Sequence, residues 1–144
     1  MAYELQPITL TATASLTKKS HAGTIINASA AAGMTLTLPA STGKGDRYTV
    51  RVKTTVTSNN LIIQVANATD VMTGYALLAQ DSADTAVMFE TASTSDTITM
   101  NGSTKGGILG DLIELVDADA GFWQVRVIGS ATGTEATPFS AAVS

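Results

Sequence analysis

The chain has no cysteine, a single histidine and three prolines among its 144 residues. Without cysteine there is no disulfide, no thiolate-bound metal and no thiol nucleophile, so the fold does not depend on a redox compartment. Aromatic residues make up 5% of the chain and charged residues 14%. The sequence therefore predicts a hydrophobic core built from Val, Ile, Leu and Ala.

Charge and hydropathy limit the expected partners. The formal net charge is −4, which disfavours a ligand bound by neutralising many phosphates, so no nucleic-acid partner is expected. Residues 1–7 lack the basic start and apolar centre of a secretory signal, and no stretch approaches the ~18 apolar residues of a membrane span. We therefore expect a protein made in the cytoplasm and without a membrane partner.

Short runs in which apolar and polar residues alternate recur along the chain, separated by clusters of Gly, Asn, Asp and Ser. This period of two is typical of half-buried β-strands, and no segment keeps the 3.6-residue apolar stripe of a long helix. The sequence predicts an all-β fold, an antiparallel β-sandwich or barrel of jelly-roll type, with short or no helices. The predicted strands are Ile8–Thr13, Thr24–Asn27, Met34–Leu38, Tyr48–Thr54, Leu61–Ala66, Val71–Ala79, Thr85–Phe89, Thr97–Asn101, Leu112–Val116 and Phe122–Ile128.

The two ends of the chain differ from the middle. Residues 21–129 are predicted to form one β-sandwich or barrel domain, and residues 1–20 an N-terminal arm or first strand. Residues 130–144 consist mostly of Gly, Ser, Ala and Thr, a composition that predicts a small-residue tail. We expect both ends to be extended arms.

The closing hairpin, residues 111–128, predicts the two faces of its second strand. Trp123 and Val125 fall on the side expected to be buried, because side chains alternate across a strand. Ile128 falls on the opposite, polar side, which suggests a contact there. Trp123 is interpreted as a core anchor.

Asp117 and Asp119, followed by Gly121, resemble the start of a calcium loop. The bidentate acid of such a loop is missing, since Ile128 stands at its twelfth position. An Asp-rich hairpin turn is the favoured interpretation. The lone His21 has neither a cysteine nor a second histidine to complete a metal site. No metal and no cofactor are expected.

No catalytic motif is present, and no serine lies in a Gly-x-Ser-x-Gly turn. We do not expect an enzyme. The alternative that stays open is a polysaccharide hydrolase or lyase, which requires two converging carboxylates. The residues available for such a pair are Asp81, Asp84, Glu90 and Glu114.

Several short motifs occur in an order that resembles small virion proteins of tailed bacteriophages, the head decoration (cement) and head-fibre proteins. The resemblance covers residues 34–139 and ends with Thr137-Pro-Phe139-Ser. The motifs are Leu36-Thr-Leu-Pro39, Gly43-x-Gly-Asp-x-Tyr48-Thr-Val50, Ile62-Ile-Gln-Val-Ala66, Asp96-Thr-Ile-Thr-Met-Asn101-Gly, Gly106-Gly-x-x-Gly-Asp111 and Phe122-Trp123.

The resemblance implies a virion structural protein on the capsid surface, bound as a homotrimer to the major capsid protein of the expanded head. Terminal arms would let such a protein reach a sheet edge or a neighbouring capsomer. The capsid-contact candidates are Tyr3, Leu5, Pro7, Ile8, Pro138 and Phe139. A simpler interpretation keeps the first strand within the domain's own sheet and leaves the C-terminal tail idle.

A tail or fibre module that binds a host surface glycan is the second functional interpretation. Such a site needs a concave surface with exposed aromatic rings for stacking on sugars. Several of the few aromatic residues fit core positions, which counts against it. The aromatic residues are Tyr3, Tyr48, Tyr75, Phe89, Phe122, Trp123 and Phe139.

Overall fold

A computed structural model of the chain describes residues 5–143, which form twelve β-strands and one short helix, α1 (Lys18–His21). Each of the ten predicted strands corresponds to an observed strand, while β2, β12 and α1 were not predicted. The strands are β1 (Ile8–Leu10), β2 (Ala14–Ser15), β3 (Ile25–Ala28), β4 (Met34–Thr37), β5 (Arg47–Val52), β6 (Leu61–Gln64), β7 (Val71–Gln80), β8 (Ala86–Glu90), β9 (Thr97–Met100), β10 (Leu112–Asp119), β11 (Phe122–Ala131) and β12 (Phe139–Ser140).

The strands form two packed sheets, which confirms the predicted all-β sandwich. The seven-stranded sheet has the order β1-β3-β5-β10-β11-β7-β8, and the five-stranded sheet has the order β12-β9-β6-β4-β2. Neither sheet closes into a barrel. The four residues of α1 agree with the expectation of short or no helices; Thr17 caps the helix by accepting a hydrogen bond from the Ser20 N–H at 3.3 Å.

The sheets are mixed, and this corrects the expectation of antiparallel pairing throughout. From β1 to β6 the chain passes from one sheet to the other with every strand, so strands two apart in sequence become neighbours after one full turn of winding. Neighbours related in this way run parallel, as in β1-β3-β5 and β2-β4-β6. Each crossover that a parallel pair needs is supplied by a strand of the opposite sheet.

The core lies between the two sheets and consists largely of aliphatic residues, as predicted, with methionines in addition. Strand β5 buries Tyr48, Val50 and Val52, and strand β11 buries Trp123, Val125 and Val127. The Tyr48 and Trp123 rings meet edge to face, with centroids 5.7 Å apart. Such pairs add to the stability gained from burial alone, so Trp123 is a core anchor, as the hairpin predicted.

Both ends of the described chain enter the sheets. Strand β1 pairs with β3, and β2 pairs with β4. Residues 130–144 differ from the predicted tail, because β11 continues to Ala131 and β12 pairs with β9. Burial of Phe139, which is 8% exposed, favours the pairing of β12 with β9. The Asp96 carboxylate then accepts hydrogen bonds from the backbone N–H groups of residues 142 and 143.

The loop that leads into β10 is held by the buried carboxylate of Asp111. This carboxylate accepts hydrogen bonds from the N–H groups of Gly107 at 2.8 Å, Ile108 at 3.1 Å and Ser130 at 2.9 Å. It therefore joins the loop to β11. Gly129 makes the approach possible, because a Cβ atom there would lie 2.5 Å from the Asp111 Cγ.

Replacing Gly129 with alanine is expected to destabilise the fold by about 1–3 kcal/mol, since overpacking a closely packed site displaces its neighbours. The measurement is the midpoint of urea unfolding at constant slope. Ser130→Ala is the matched control, because its side chain is exposed and its N–H group still bonds to Asp111. Equal stability of the Gly129→Ala variant and the wild type would contradict the proposed close approach.

Candidate functional site

The two carboxylates of the closing turn do not converge on a common point. Asp117 is buried and accepts hydrogen bonds from the loop formed by residues 41–43. Asp119 is exposed and accepts one from the N–H of Ala120 at 2.8 Å. Among residues 5–143, no group of three or more His, Asp or Glu side chains is arranged to hold a metal ion. Asp117 therefore serves to fix a loop.

Burial and hydrogen bonding act in opposite directions on the two buried carboxylates. Burial would raise the pKa of Asp117, but the hydrogen bonds from Thr42, Ser41 and Gly43 outweigh it and hold that pKa below its usual value. At Asp111 burial dominates and raises the pKa, although N–H groups of the neighbouring loop oppose it. Both carboxylates accept hydrogen bonds from backbone N–H groups of the fold, and Asp117 also borders a hollow of 180 Å³ together with Thr42 and Lys44.

The four carboxylates considered for a hydrolase are dispersed. Glu114 and Glu90 lie in one row across the seven-stranded sheet, with β11 and β7 between their strands. Three strand spacings place their backbones about 14 Å apart, beyond the separation of paired carboxylates in glycoside hydrolysis. Asp81 and Asp84 are exposed in the β7–β8 loop. The Glu114 carboxylate pairs with Arg126 at 2.5 Å.

The outward side of the seven-stranded sheet, here called the outer face, carries most of the large exposed hydrophobic side chains of the described residues. In register, Ile128 lies beside Leu77, and Leu77 lies beside Met88, so they form an apolar row. The large hydrophobic side chains exposed on β7, β8 and β11 are Tyr75 (51%), Leu77 (39%), Met88 (62%), Phe122 (50%) and Ile128 (50%). Exposed apolar patches on proteins often belong to interaction sites, which makes the outer face the candidate surface.

All three arginines of the chain lie on the same outer face. Arg47 and Arg51 project from β5 on the side opposite the buried Tyr48 and Val50, and Arg126 projects from β11. Arginine, tyrosine and methionine are enriched at protein interfaces, while lysine is depleted. The outward residues of the five-stranded sheet are mainly Thr and Gln, including Thr35, Thr37, Gln64 and Thr99.

A hollow of 310 Å³ lies at the β1–β3 end of the outer face. Leu5 and Pro7 form one wall, and Ile25, Arg47 and Thr49 belong to the adjoining strands. Leu5 is 62% exposed, so its side chain is available to a partner. The segment is held to the domain by the hydroxyl of Thr24, which donates to the Gln6 carbonyl at 2.7 Å.

A second hollow, of 420 Å³, lies in the middle of the outer face. It combines an apolar floor at Val116 with the exposed ring of Tyr75 and several hydrogen-bonding side chains. Arg47 borders both hollows, so the two adjoin. The polar side chains that line the second hollow are Arg47, Glu114, Gln124 and Arg126.

The remaining predicted contact residues have different positions. Tyr3 lies outside the described residues. Ile8 is half-buried and sits opposite the fully buried Ile26, so it faces the core side of the sheet. Pro138 and Phe139 are buried in the chain's own fold, which leaves Leu5 and Pro7 as the predicted candidates that are exposed.

The sequence reasoning did not identify Tyr75, Leu77, Met88 or the arginines as one surface. Ile128 was the exception, because an aliphatic residue on a polar side is visible in the alternation of its own strand. Strand β7 gives no such signal, because the adjacent Leu77 and Leu78 are both aliphatic and lie on opposite sides of the strand. The register between strands, which brings Ile128, Leu77 and Met88 into one row, cannot be predicted from alternation alone.

Comparison with protein-family models, curated proteins and solved structures found no match to the chain. Within the part of the chain that the structure describes, no helix has the length and hydropathy to cross a membrane.

The lowered pKa of Asp117 predicts a pH-dependent contribution to stability. A carboxyl with a depressed folded-state pKa stabilises the fold above its unfolded pKa, near 3.8, and loses that contribution as pH falls through the folded pKa. Asp117→Asn is expected to cost about 1–3 kcal/mol at neutral pH, because amide hydrogens would face backbone donors. The measurement is urea unfolding from pH 7 to pH 2.

The matched control is Asp119→Asn, an exposed carboxylate in the same turn. The Asp117→Asn variant should lose less stability on acidification than the wild type, while Asp119→Asn should follow the wild type. An unchanged acid profile for Asp117→Asn would show that its hydrogen bonds do not favour the ionised form.

Proposed function

We propose that this protein is a structural protein of a bacteriophage virion, a decoration protein that binds the outside of the expanded head and stabilises it. The observation that carries the proposal is the outer face, where exposed apolar side chains and all three arginines lie on one side of a rigid sandwich. The ordered motifs that resemble head decoration proteins point to the capsid as the partner. The homotrimer implied by that resemblance belongs to the same proposal.

Decoration requires binding to the assembled lattice in preference to free capsid subunits. Any ligand that binds only one state stabilises that state by mass action. Leu5 and Pro7 offer the contact: they are exposed beside a hollow that also includes Arg47, so one short segment presents both apolar and cationic groups. In a trimer, three such contacts act together, and modest affinities multiply through effective concentration.

The test uses expanded heads of the encoding phage that lack this protein, mixed with purified protein and sedimented. We expect saturable binding, and we expect Leu5→Asp to weaken it at least about tenfold, because burial of one leucine contributes roughly 1.5–3 kcal/mol. Leu109→Asp is the matched control, since Leu109 has a similar exposure of 58% but lies in a loop away from the hollow. Binding to tails and not to heads would refute the proposal.

The second hollow favours one alternative function, the binding of a host surface glycan by a tail or fibre module. Tyr75 is 51% exposed there and is surrounded by groups that can bond to sugar hydroxyls. Aromatic stacking with a few converging polar groups is a common basis of ligand recognition.

A glycan array with purified protein separates the two functions. If the alternative holds, Tyr75→Ala should reduce the glycan signal by about tenfold, in line with the loss of one stacking contact. Phe122→Ala is the matched control, because Phe122 is equally exposed but does not line the hollow. The absence of any glycan signal, together with binding to heads, would exclude the alternative.

A further inference from the structure

Strand β8 is an open edge of the seven-stranded sheet: within residues 5–143 it pairs with β7 alone. It is the longest of the four edge strands, which are β1 with three residues, β2 and β12 with two each, and β8 with five. Natural proteins protect such edges with lysine, proline, bulges or very short strands. Strand β8 reads Ala-Val-Met-Phe-Glu and keeps an unbroken register with β7, so it has no lysine, proline or bulge, and its one charge, Glu90, lies at its end.

The hydrogen bonds at the two ends of β8 show which of its backbone N–H and C=O groups point away from the sheet, here called the open groups. The Gln80 N–H donates to the Thr85 carbonyl at 2.9 Å, and the Thr91 N–H donates to the Gly74 carbonyl at 3.1 Å. Bonded positions alternate along an antiparallel ladder, so the backbone groups of residues 87 and 89 bond to β7. Those of residues 86, 88 and 90 therefore point away from the sheet.

The open groups of β8 can form hydrogen bonds with those of β8 in a second copy of the chain. If two β8 strands pair antiparallel about a two-fold axis at Met88, each Met88 lies opposite its counterpart and Ala86 lies opposite Glu90. Both are hydrogen-bonded positions, so every open N–H and C=O of residues 86, 88 and 90 finds a partner. Sliding the strands by two residues leaves part of them unpaired.

The side chains support this register on both faces. The apolar row of Ile128, Leu77 and Met88 ends at the sheet edge, and pairing continues it directly into the same row of the second copy. Val87 and Phe89, which are half-buried at the end of the core, come to lie opposite each other. The single charge on the strand, Glu90, faces Ala86, so no like charges are opposed.

We propose that two copies of this chain associate through β8, antiparallel about a two-fold axis at Met88, to join their seven-stranded sheets into one. The contact does not depend on the virion role. It leaves the hollow beside Leu5 free, since that hollow is lined from the opposite end of the sheet. The smallest closed assembly that combines this contact with the homotrimer of the proposed function contains six copies.

Charge substitution at the axis gives a direct test by native mass spectrometry. The wild type should have an even copy number, and Met88→Lys should halve it, because two lysines would lie directly opposite each other in place of an apolar pair. Met88→Glu should behave in the same way, while an equimolar mixture of the two variants should restore the wild-type copy number as mixed pairs. Leu109→Lys, the matched control, should assemble as the wild type does.

The proposal is overturned if the wild type has an odd copy number or is a monomer, or if Met88→Lys leaves the copy number unchanged. It is also overturned if the mixed variants fail to associate while each one remains folded by circular dichroism. Met88 is 62% exposed, so neither charge is expected to prevent folding.

Cysteine cross-linking tests the register independently, because the chain has no native cysteine. Directly opposed bonded residues have Cα atoms about 5.5 Å apart, within the range that a disulfide spans. Met88→Cys should therefore give a covalent dimer on oxidation. Leu77→Cys, on the same face but roughly 14 Å from its counterpart, should not. Equal cross-linking of both variants would reject the register.

Discussion

Strand β10 lies at the centre of the seven-stranded sheet, and two buried carboxylates hold its ends. Asp111 precedes the strand and binds the N–H groups of the entering loop and of β11, while Asp117 lies near the far end and binds the loop of residues 41–43. A buried carboxylate is tolerated only when hydrogen bonds replace its lost hydration. Each group therefore satisfies loop donors and fixes the register of the hairpin that carries much of the outer face.

Alternation within a strand was sufficient to predict the class of fold and the inner residues. Strands β5 and β11 have a clean period of two, so the sequence placed Tyr48, Trp123 and Val125 inside and Ile128 outside, as observed. Short segments with little alternation were missed. Strand β12 consists of two residues, and its position depends on the burial of Phe139 against strands distant in sequence.

The pairing between strands could not be predicted from alternation. Alternation predicts which side of a strand is buried, but it contains no information about the neighbour. The chain winds between two sheets, so parallel neighbours arise from the path of the backbone and not from any local turn motif. For that reason the sequence indicated Leu5 and Pro7 as contact residues without placing them beside Arg47. It likewise could not bring Tyr75 next to Arg126 and Glu114.

The parallel ladder between β7 and β11 has a consequence for the order of folding. It is the longest ladder in the sheet, and it joins segments about fifty residues apart, so a loop must close before its contacts are gained. Tyr75 and Leu77 come from one segment and Ile128 from the other. The apolar row thus forms only when that pairing is complete, and a partner that contacts both strands distinguishes fully folded molecules from partly folded ones.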